Sequence, residues 1–241
     1  MDEVLSYAVK TYLKRINIIL FFSIPSLLAF LIPLFSPMPT YLAIGGMFVR
    51  IGSIKALSGL EIAIILLAFL ASLLLFSLAI VAINLVIKAQ RTATNIRREV
   101  INDLEKYIFG VFWLMIQFTL IVFLIQLVAF EMKWETTVAP VLTFLVTLPL
   151  IFAPSGMIID DLRPYRALGM SIRLIFKNLK YVLLYIVPVF VLISLLEVIF
   201  LLALPNRIAE ITLVLLNSLF VLPFLLVFFT QVYLTKYTLI K

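Results

Sequence analysis

One carboxylic acid, Glu197, lies inside a long apolar run and is the ionisable side chain best placed to do chemistry within a membrane. Burying a lone carboxylate in hydrocarbon is costly, so the group must be protonated, paired or in contact with water. As a functional group it could bind a cation or relay a proton. Alternatively, it is a neutral side chain that hydrogen-bonds another helix or reaches the outer interface.

Four side-chain amides, those of Asn84, Gln117, Gln126 and Asn217, are the next most polar groups inside apolar runs. Asn84, Gln117 and Asn217 form the predicted ligand-binding set with Glu197, because a transported solute would need polar groups that converge near the membrane midplane. The alternative is structural, since amides inside membranes tie helices together, each contributing about 1 kcal/mol or less.

The composition leaves little room for catalysis. The chain contains no Cys and no His, which removes thiol nucleophiles, imidazole bases and the commonest zinc ligands. Paired carboxylates at Asp160 and Asp161 could hold a metal. The following Leu162-Arg163-Pro164 favours a helix cap that pairs with Arg163 or Arg166 instead. We therefore predict a protein that is not an enzyme and has no catalytic residues, no metal and no cofactor.

Long apolar runs must position these residues. Hydrophobic residues make up 65% of the 241 residues, and charged residues make up 13%, about half the usual share. Since roughly 20 helical residues cross a hydrocarbon core, we predict an all-α polytopic membrane protein. It has six transmembrane helices arranged as three hairpins, within one integral membrane domain over residues 1–241. The runs are Ile16–Phe35, Ile62–Ile87, Tyr107–Phe130, Val138–Ile159, Tyr181–Leu204 and Ile211–Thr235.

The basic residues fall on alternate sides of these runs. All but four of the 19 Lys and Arg residues lie in the two termini or in the loops after the second and fourth runs. The exceptions are Arg50, Lys55, Lys133 and Arg207. By the positive-inside rule, the chain is a multi-pass protein of the cell membrane with both termini in the cytoplasm.

A basic amphipathic stretch precedes each odd-numbered run, and it should lie at the cytoplasmic interface or extend the run below it. In the third stretch, one helical face carries Arg166, Arg173, Lys177 and Lys180. The apolar residues Leu168, Ile172, Ile175 and Leu179 lie largely on other faces. The net charge of +7 is placed where anionic headgroups, rather than nucleic acid, are the expected partner. A protein partner or a second copy of the chain is the other expected contact. The candidate headgroup or partner contacts are Arg97, Arg98, Arg166, Arg173, Lys177 and Lys180.

One constant offset in residue number takes Lys10 to Arg173, Lys14 to Lys177 and Pro25 to Pro188. We interpret this as a weak threefold repeat over residues 1–90, 91–161 and 162–241, in which Gln117 stands where the middle copy would have the proline. Chance alignment of apolar helices that contain proline is the alternative. The apolar loop Ser36–Leu60, on the outer side, is interpreted as a lid, a re-entrant plug or an amphipathic cap.

The stretch Ala153-Pro154-Ser155-Gly156-Met157-Ile158-Ile159-Asp160, followed by Ala167-x-x-x-Ser171 and Lys177-Asn178, resembles a known repeat. The repeat is that of a broad group of poorly characterised prokaryotic six-helix membrane proteins, which includes the membrane domain of some glycerophosphoryl diester phosphodiesterases. The match covers residues 153–178, and the rest of the chain matches only through topology. The resemblance implies the six-helix architecture and an unassigned membrane role. It implies no hydrolase activity, because the hydrolase domain is missing.

Two functions fit these features, with transport as the leading hypothesis and a scaffold as the alternative. A transport-related protein, such as a permease-like subunit or the membrane partner of a larger complex, predicts that Glu197, Asn84, Gln117 and Asn217 converge on one cavity. A non-transporting scaffold or lipid-interacting protein predicts that they disperse into separate helix contacts. That second protein would keep a basic cytoplasmic collar and an apolar groove.

Overall fold

Helices make up nearly all of the computed structural model, which describes residues 2–35, 40–43, 46–49, 58–92, 96–134, 137–177 and 179–235. The α-helices in this part of the chain are α1 (Asp2–Lys14), α2 (Ile16–Leu31), α3 (Gly59–Thr92), α4 (Ile96–Glu131), α5 (Val138–Thr147), α6 (Ala153–Ile159), α7 (Pro164–Lys177), α8 (Leu179–Ala203), α9 (Asn206–Leu216) and α10 (Leu222–Thr235).

The prediction of six apolar helical spans is confirmed. Within the described ranges, six helical stretches are long and apolar enough to cross a bilayer, and the shortest has 18 residues. They identify an integral membrane protein of the multi-pass type. The arrangement as three hairpins and the cytoplasmic side of the termini stay predictions. The stretches are Ile16–Phe35, Gly59–Thr92, Val100–Glu131, Val138–Ile159, Ile186–Ala203 and Asn206–Thr235.

The fourth and sixth spans each contain a break in regular α-helix next to a proline. The fourth passes through a 3₁₀ segment, Leu148–Ile151, that contains Pro149. The sixth passes through a π-helical segment, Asn217–Val221, just before Pro223. A proline removes one backbone donor and crowds the preceding turn, so the helix changes its hydrogen-bond period there.

The three basic amphipathic stretches form in two different ways. The first and third are separate helices, α1 and α7, each followed by a new helix that contains a proline, Pro25 in α2 and Pro188 in α8. The second runs without interruption into the third span as α4. The second stretch therefore extends its span, whereas α1 and α7 are separate helices whose position at the cytoplasmic interface stays a prediction.

The loop Ser36–Leu60 contains a feature that helical periodicity does not predict. Strands β1 (Thr40–Ala43) and β2 (Gly46–Val49) form an antiparallel hairpin in which Leu42 is opposite Met47. Strand β2 contacts α2 and α9, and Met47 is buried. The loop ends in a capping box, because Glu61 accepts hydrogen bonds from the backbone N–H and hydroxyl of Ser58. Whether the loop is a lid, a plug or a cap stays a prediction, since residues 36–39, 44–45 and 50–57 lie outside the described residues.

The chain divides into two compact units. The first unit comprises Met1–Ile83 and Lys180–Phe228. Within it, the hydroxyl of Ser26 in α2 donates a hydrogen bond of 2.9 Å to the carbonyl of Ser218 in the π segment. The N–H of Leu222 donates to the carbonyl of Asn217, five residues earlier, as in a π-helix. At the same spacing, the carbonyl of Ser218 would accept from Pro223, which has no N–H. Ser26 therefore satisfies a carbonyl that the proline cannot.

The second unit comprises Asn84–Leu179 and Phe229–Lys241. Its core includes Phe152, whose ring meets that of Phe229 edge-on at 5.8 Å. The hydroxyl of Ser171 in α7 donates a 2.6 Å hydrogen bond to the carbonyl of Pro149 in the 3₁₀ segment. A side-chain hydroxyl therefore supports the proline-containing break here, as Ser26 does in the first unit. The proposed repeat boundaries are not tested by this division and stay a prediction.

Candidate functional site

Asn84 is the most thoroughly buried of the four predicted ligand-binding residues, with 1% of its surface exposed. Its side-chain oxygen accepts hydrogen bonds from Ser155 in α6, at 2.9 Å, and from Thr230 in α10, at 2.8 Å. The two hydroxyls are themselves 3.2 Å apart, and both are buried. We call these three residues the polar cluster. It joins α3, α6 and α10 within the second unit.

A second contact between α6 and α10 lies next to the polar cluster. The hydroxyl of Tyr233, in the next turn of α10, donates a hydrogen bond to the carboxylate of Asp160 at the end of α6. Gly156 makes this approach possible, because a Cβ at that position would lie 3.1 Å from the Tyr233 hydroxyl oxygen and 3.5 Å from the Cβ of Ala167. The absence of a side chain at residue 156 therefore lets α6 approach both α7 and α10 closely.

Asp161 adopts a left-handed backbone conformation, with φ of 54°, and this turns its side chain away from the chain that follows. Its carboxylate pairs with Lys106 of α4 at 2.8 Å and accepts a hydrogen bond from the hydroxyl of Tyr107 at 3.1 Å. The hydrogen bond from Lys106 holds the pKa of the Asp161 carboxyl below its ordinary value. The expected pairing of Asp161 with Arg163 or Arg166 is wrong, because the left-handed turn directs it to α4.

Tyr107 is the centre of a small charged layer in the second unit. Its ring is buried, with the Nζ of Lys106 at 5.0 Å and that of Lys88 at 5.5 Å from the ring centroid. Lys88 also pairs with Asp103 at 3.5 Å. Opposite charges and an aromatic face neutralise these groups locally. The layer is suited to anchoring α3 and α4 to the turn after α6.

Gln117 lies on α4 and makes a different contact from Asn84. Its side-chain amide donates a 2.8 Å hydrogen bond to the hydroxyl of Tyr165 in the first turn of α7. The hydrogen bonds from Gln117 and, to a lesser extent, Trp113 lower the pKa of the Tyr165 hydroxyl. Gln117 therefore connects the third span to α7, whereas Asn84 connects α3 to α6 and α10.

The other two candidates, Glu197 and Asn217, belong to the first unit. Glu197 is a partly exposed residue of α8, inside the span Ile186–Ala203. Asn217 is buried and begins the π segment, where its carbonyl accepts the N–H of Leu222. The four predicted ligand residues are thus divided equally between the two units, and whether they act together stays a prediction.

Helix α7 presents three faces, and two of them are exposed. Ala167, Ser171 and Ile175 are buried, and α7 contacts α6 and the 3₁₀ segment. The expected apolar face is therefore divided, since Ile175 is buried whereas Ile172 is exposed. The exposed half carries an apolar stripe and, beside it, a basic stripe, separated by Gly169. We call this the α7 surface. Its apolar stripe is Tyr165, Ile172 and Phe176, and its basic stripe is Arg166, Arg173 and Lys177.

The remaining headgroup candidates cannot be placed to the same extent. Arg97 and Arg98 belong to α4 and Lys180 belongs to α8, but their side chains lie outside the described residues.

An apolar groove of about 280 Å³ lies between the end of α4 and the start of α5 in the second unit. Its walls belong to the third and fourth spans, and Trp134 lies in the turn that joins them. None of the four predicted ligand residues lines it. The groove is lined by Ile121, Leu124, Ile125, Val128, Ala129, Trp134, Val138 and Leu142.

Ser155, Thr230 and Tyr233 are site residues that sequence reasoning did not single out. Ser155 stands inside the motif that carries the family resemblance, and Thr230 and Tyr233 are one helical turn apart in a largely apolar run that also contains Gln231. That spacing is a weak signal, since hydroxyls in membrane helices commonly bond to their own backbone. Comparisons of the chain with protein-family models, with curated proteins and with solved structures find no match.

Proposed function

We propose that this protein is a non-transporting membrane scaffold that interacts with anionic lipid at the cytoplasmic surface of the bilayer. The single observation that carries the proposal is the α7 surface. One face of the helix is buried within its own unit through Ala167, Ser171 and Ile175, while large apolar and basic side chains are exposed side by side on the rest.

Such a helix suits the boundary between hydrocarbon and headgroups. Phe176 is 76% exposed and Tyr165 is 65% exposed, which disfavours open water for this stripe. With the apolar stripe in the acyl region, the adjacent basic stripe lies at headgroup level. Each basic residue there contributes about 1 kcal/mol of attraction to an anionic membrane.

The interior of the second unit supports the same proposal. Asn84 already accepts hydrogen bonds from two other helices, and Gln117 already donates to Tyr165. Polar groups paired in this way hold helices together. The groove between α4 and α5 is lined by apolar residues and fits an acyl chain better than a polar solute.

Transport remains the rival hypothesis, and it requires water to reach the paired amides. A partner protein, the relationship to the membrane domain of the phosphodiesterases, and the absence of enzymatic activity stay predictions. The lipid proposal requires neither a partner protein nor the relationship to the phosphodiesterases, and it is compatible with the absence of enzymatic activity.

Neutralising the basic stripe of α7 should reduce the amount of anionic lipid that stays with the protein. The double variant Arg173→Gln, Lys177→Gln removes two exposed charges, each of which attracts anionic lipid by about 1 kcal/mol. After reconstitution in equimolar phosphatidylglycerol and phosphatidylcholine and mild extraction, native mass spectrometry should find at most about half as much phosphatidylglycerol on the variant as on the wild-type protein.

Arg207→Gln is the matched control, because it removes one exposed arginine that the charge pattern places on the opposite side of the membrane. It should leave lipid retention unchanged, and circular dichroism should show the same helix content for all variants. Equal phosphatidylglycerol retention by the double variant and the wild-type protein would overturn the proposal.

A further inference from the structure

The faces of α1 match those of α7 when the two helices are aligned by the offset that takes Lys10 to Arg173. Ala8 and Tyr12 are buried, as are their counterparts Ser171 and Ile175. Tyr12 is held in place within the first unit, where its ring meets that of Phe224 edge-on at 5.6 Å. The face that fixes each helix therefore occupies equivalent positions.

The exposed faces match as well. Val9 and Leu13 are exposed apolar residues of α1 and align with Ile172 and Phe176 of α7. Lys10 and Lys14 are exposed and align with Arg173 and Lys177. Around both helices the order is the same in the same rotational sense: buried face, apolar stripe, basic stripe. The match covers residues 8–14 of α1 and residues 171–177 of α7, whereas Glu3 stands at the position of Arg166.

Arg15, which directly follows α1, adds an observation that points to an anion. Its Nε is shielded from solvent and has no hydrogen-bond partner in the part of the chain that the structure describes. A buried guanidinium N–H that lacks an acceptor is costly. A phosphate oxygen is an acceptor of the kind that this donor lacks, and Arg15 directly follows Lys14 in the chain.

We propose that α1 is a second headgroup site, equivalent to the α7 surface, which takes the phosphate of an anionic phospholipid. The proposal rests on the proposed function in its choice of ligand, but it concerns a different unit and different residues. Lys10 and Lys14 supply the attraction, Val9 and Leu13 lie in the acyl region, and Arg15 supplies the further donor. Charge complementarity selects an anionic over a zwitterionic headgroup.

The corresponding stretch of α4 lacks the features of such a site. Aligning Lys106 with Lys14 places Asn102 at the position of Lys10 and Glu105 at that of Leu13. Lys106 itself is paired with Asp161. Two headgroup sites, rather than three, are therefore expected on these helices.

The double variant Lys10→Gln, Lys14→Gln tests the site in the reconstituted full chain. Because two equivalent sites would become one, retention of phosphatidylglycerol in native mass spectrometry should fall by half. Combining these changes with Arg173→Gln and Lys177→Gln should reduce the phosphatidylglycerol fraction to that of the surrounding bilayer. The charge-conserving variant Lys10→Arg, Lys14→Arg should retain lipid as the wild-type protein does.

The outcomes separate this inference from the proposed function. If the α1 variant retains as much phosphatidylglycerol as the wild-type protein while the α7 variant loses it, the second site is refuted and the proposed function stands. If neither variant loses lipid, both are refuted. Misfolding of the α1 glutamine variant would appear as reduced helix content in circular dichroism. In that case the single variant Lys10→Gln, with native helix content, decides the question. Lipid loss in that single variant equal to the loss in the double variant supports the site.

Discussion

Replacing Gly156 by leucine is expected to destabilise the second unit more than any other single change proposed for this chain. Its Cβ would lie 3.1 Å from the hydroxyl oxygen of Tyr233, and the rest of the side chain would enter space that α7 and α10 occupy. Overpacking of this kind and loss of the hydrogen bond from Tyr233 to Asp160 together should lower the free energy of unfolding by on the order of 3 kcal/mol.

Gly169→Leu provides the matched control. Gly169 also lies in a helix of the second unit, but nothing lies within 4 Å of the Cβ that a side chain would add. In denaturant titrations in detergent, that variant should be as stable as the wild-type protein or slightly more stable, since leucine favours a helix by up to about 1 kcal/mol over glycine. Equal stability of the two leucine variants would show that α6 does not approach α10 as described.

Replacing Asn84 by alanine is expected to have the second largest effect. The change removes the acceptor of Ser155 and Thr230, whose hydroxyls are both buried. An unsatisfied buried hydroxyl costs about 1–3 kcal/mol, whereas side-chain hydrogen bonds between membrane helices average about 0.6 kcal/mol because the hydroxyl finds another partner. Two bonds and a small cavity should therefore lower the free energy of unfolding by about 2 kcal/mol.

A double-mutant cycle separates the loss of the hydrogen bond between Ser155 and Asn84 from the simple loss of side-chain volume. Ser155→Ala should destabilise the wild-type protein but should have little further effect in the Asn84→Ala background, because its partner is already gone. Asn102→Ala, an exposed position on α4, should leave stability unchanged. Additive effects of Asn84→Ala and Ser155→Ala would contradict the polar cluster.

The positions of the spans could be predicted from sequence because hydrophobic length is a local property. Each predicted run overlaps one helical span, and both termini of the first and fourth runs agree with the structure. The two separate amphipathic helices could also be predicted, since α1 and α7 carry basic and apolar residues at helical spacing.

The partners of the polar residues could not be predicted in the same way. Asn84 meets Ser155 and Thr230 across separations of 71 and 146 residues, which no local period reveals. The direction of Asp161 depends on a single left-handed residue, and the expectation that it pairs with a nearby arginine therefore failed. The hairpin of β1 and β2 lies in an apolar loop whose composition fits a strand or a helix equally well.

The most direct test of the central claim is the water accessibility of the polar cluster. Because the natural chain contains no Cys, Ser155→Cys and Thr230→Cys each introduce one thiol with little change of volume, and Asn102→Cys gives an exposed reference. In proteoliposomes, a charged thiol reagent should label residue 102 readily but should label residues 155 and 230 only after denaturation, since both are buried among helices. Rapid labelling of either buried position in the folded protein would reveal a water-filled path to Asn84 and would favour transport over a lipid-interacting scaffold.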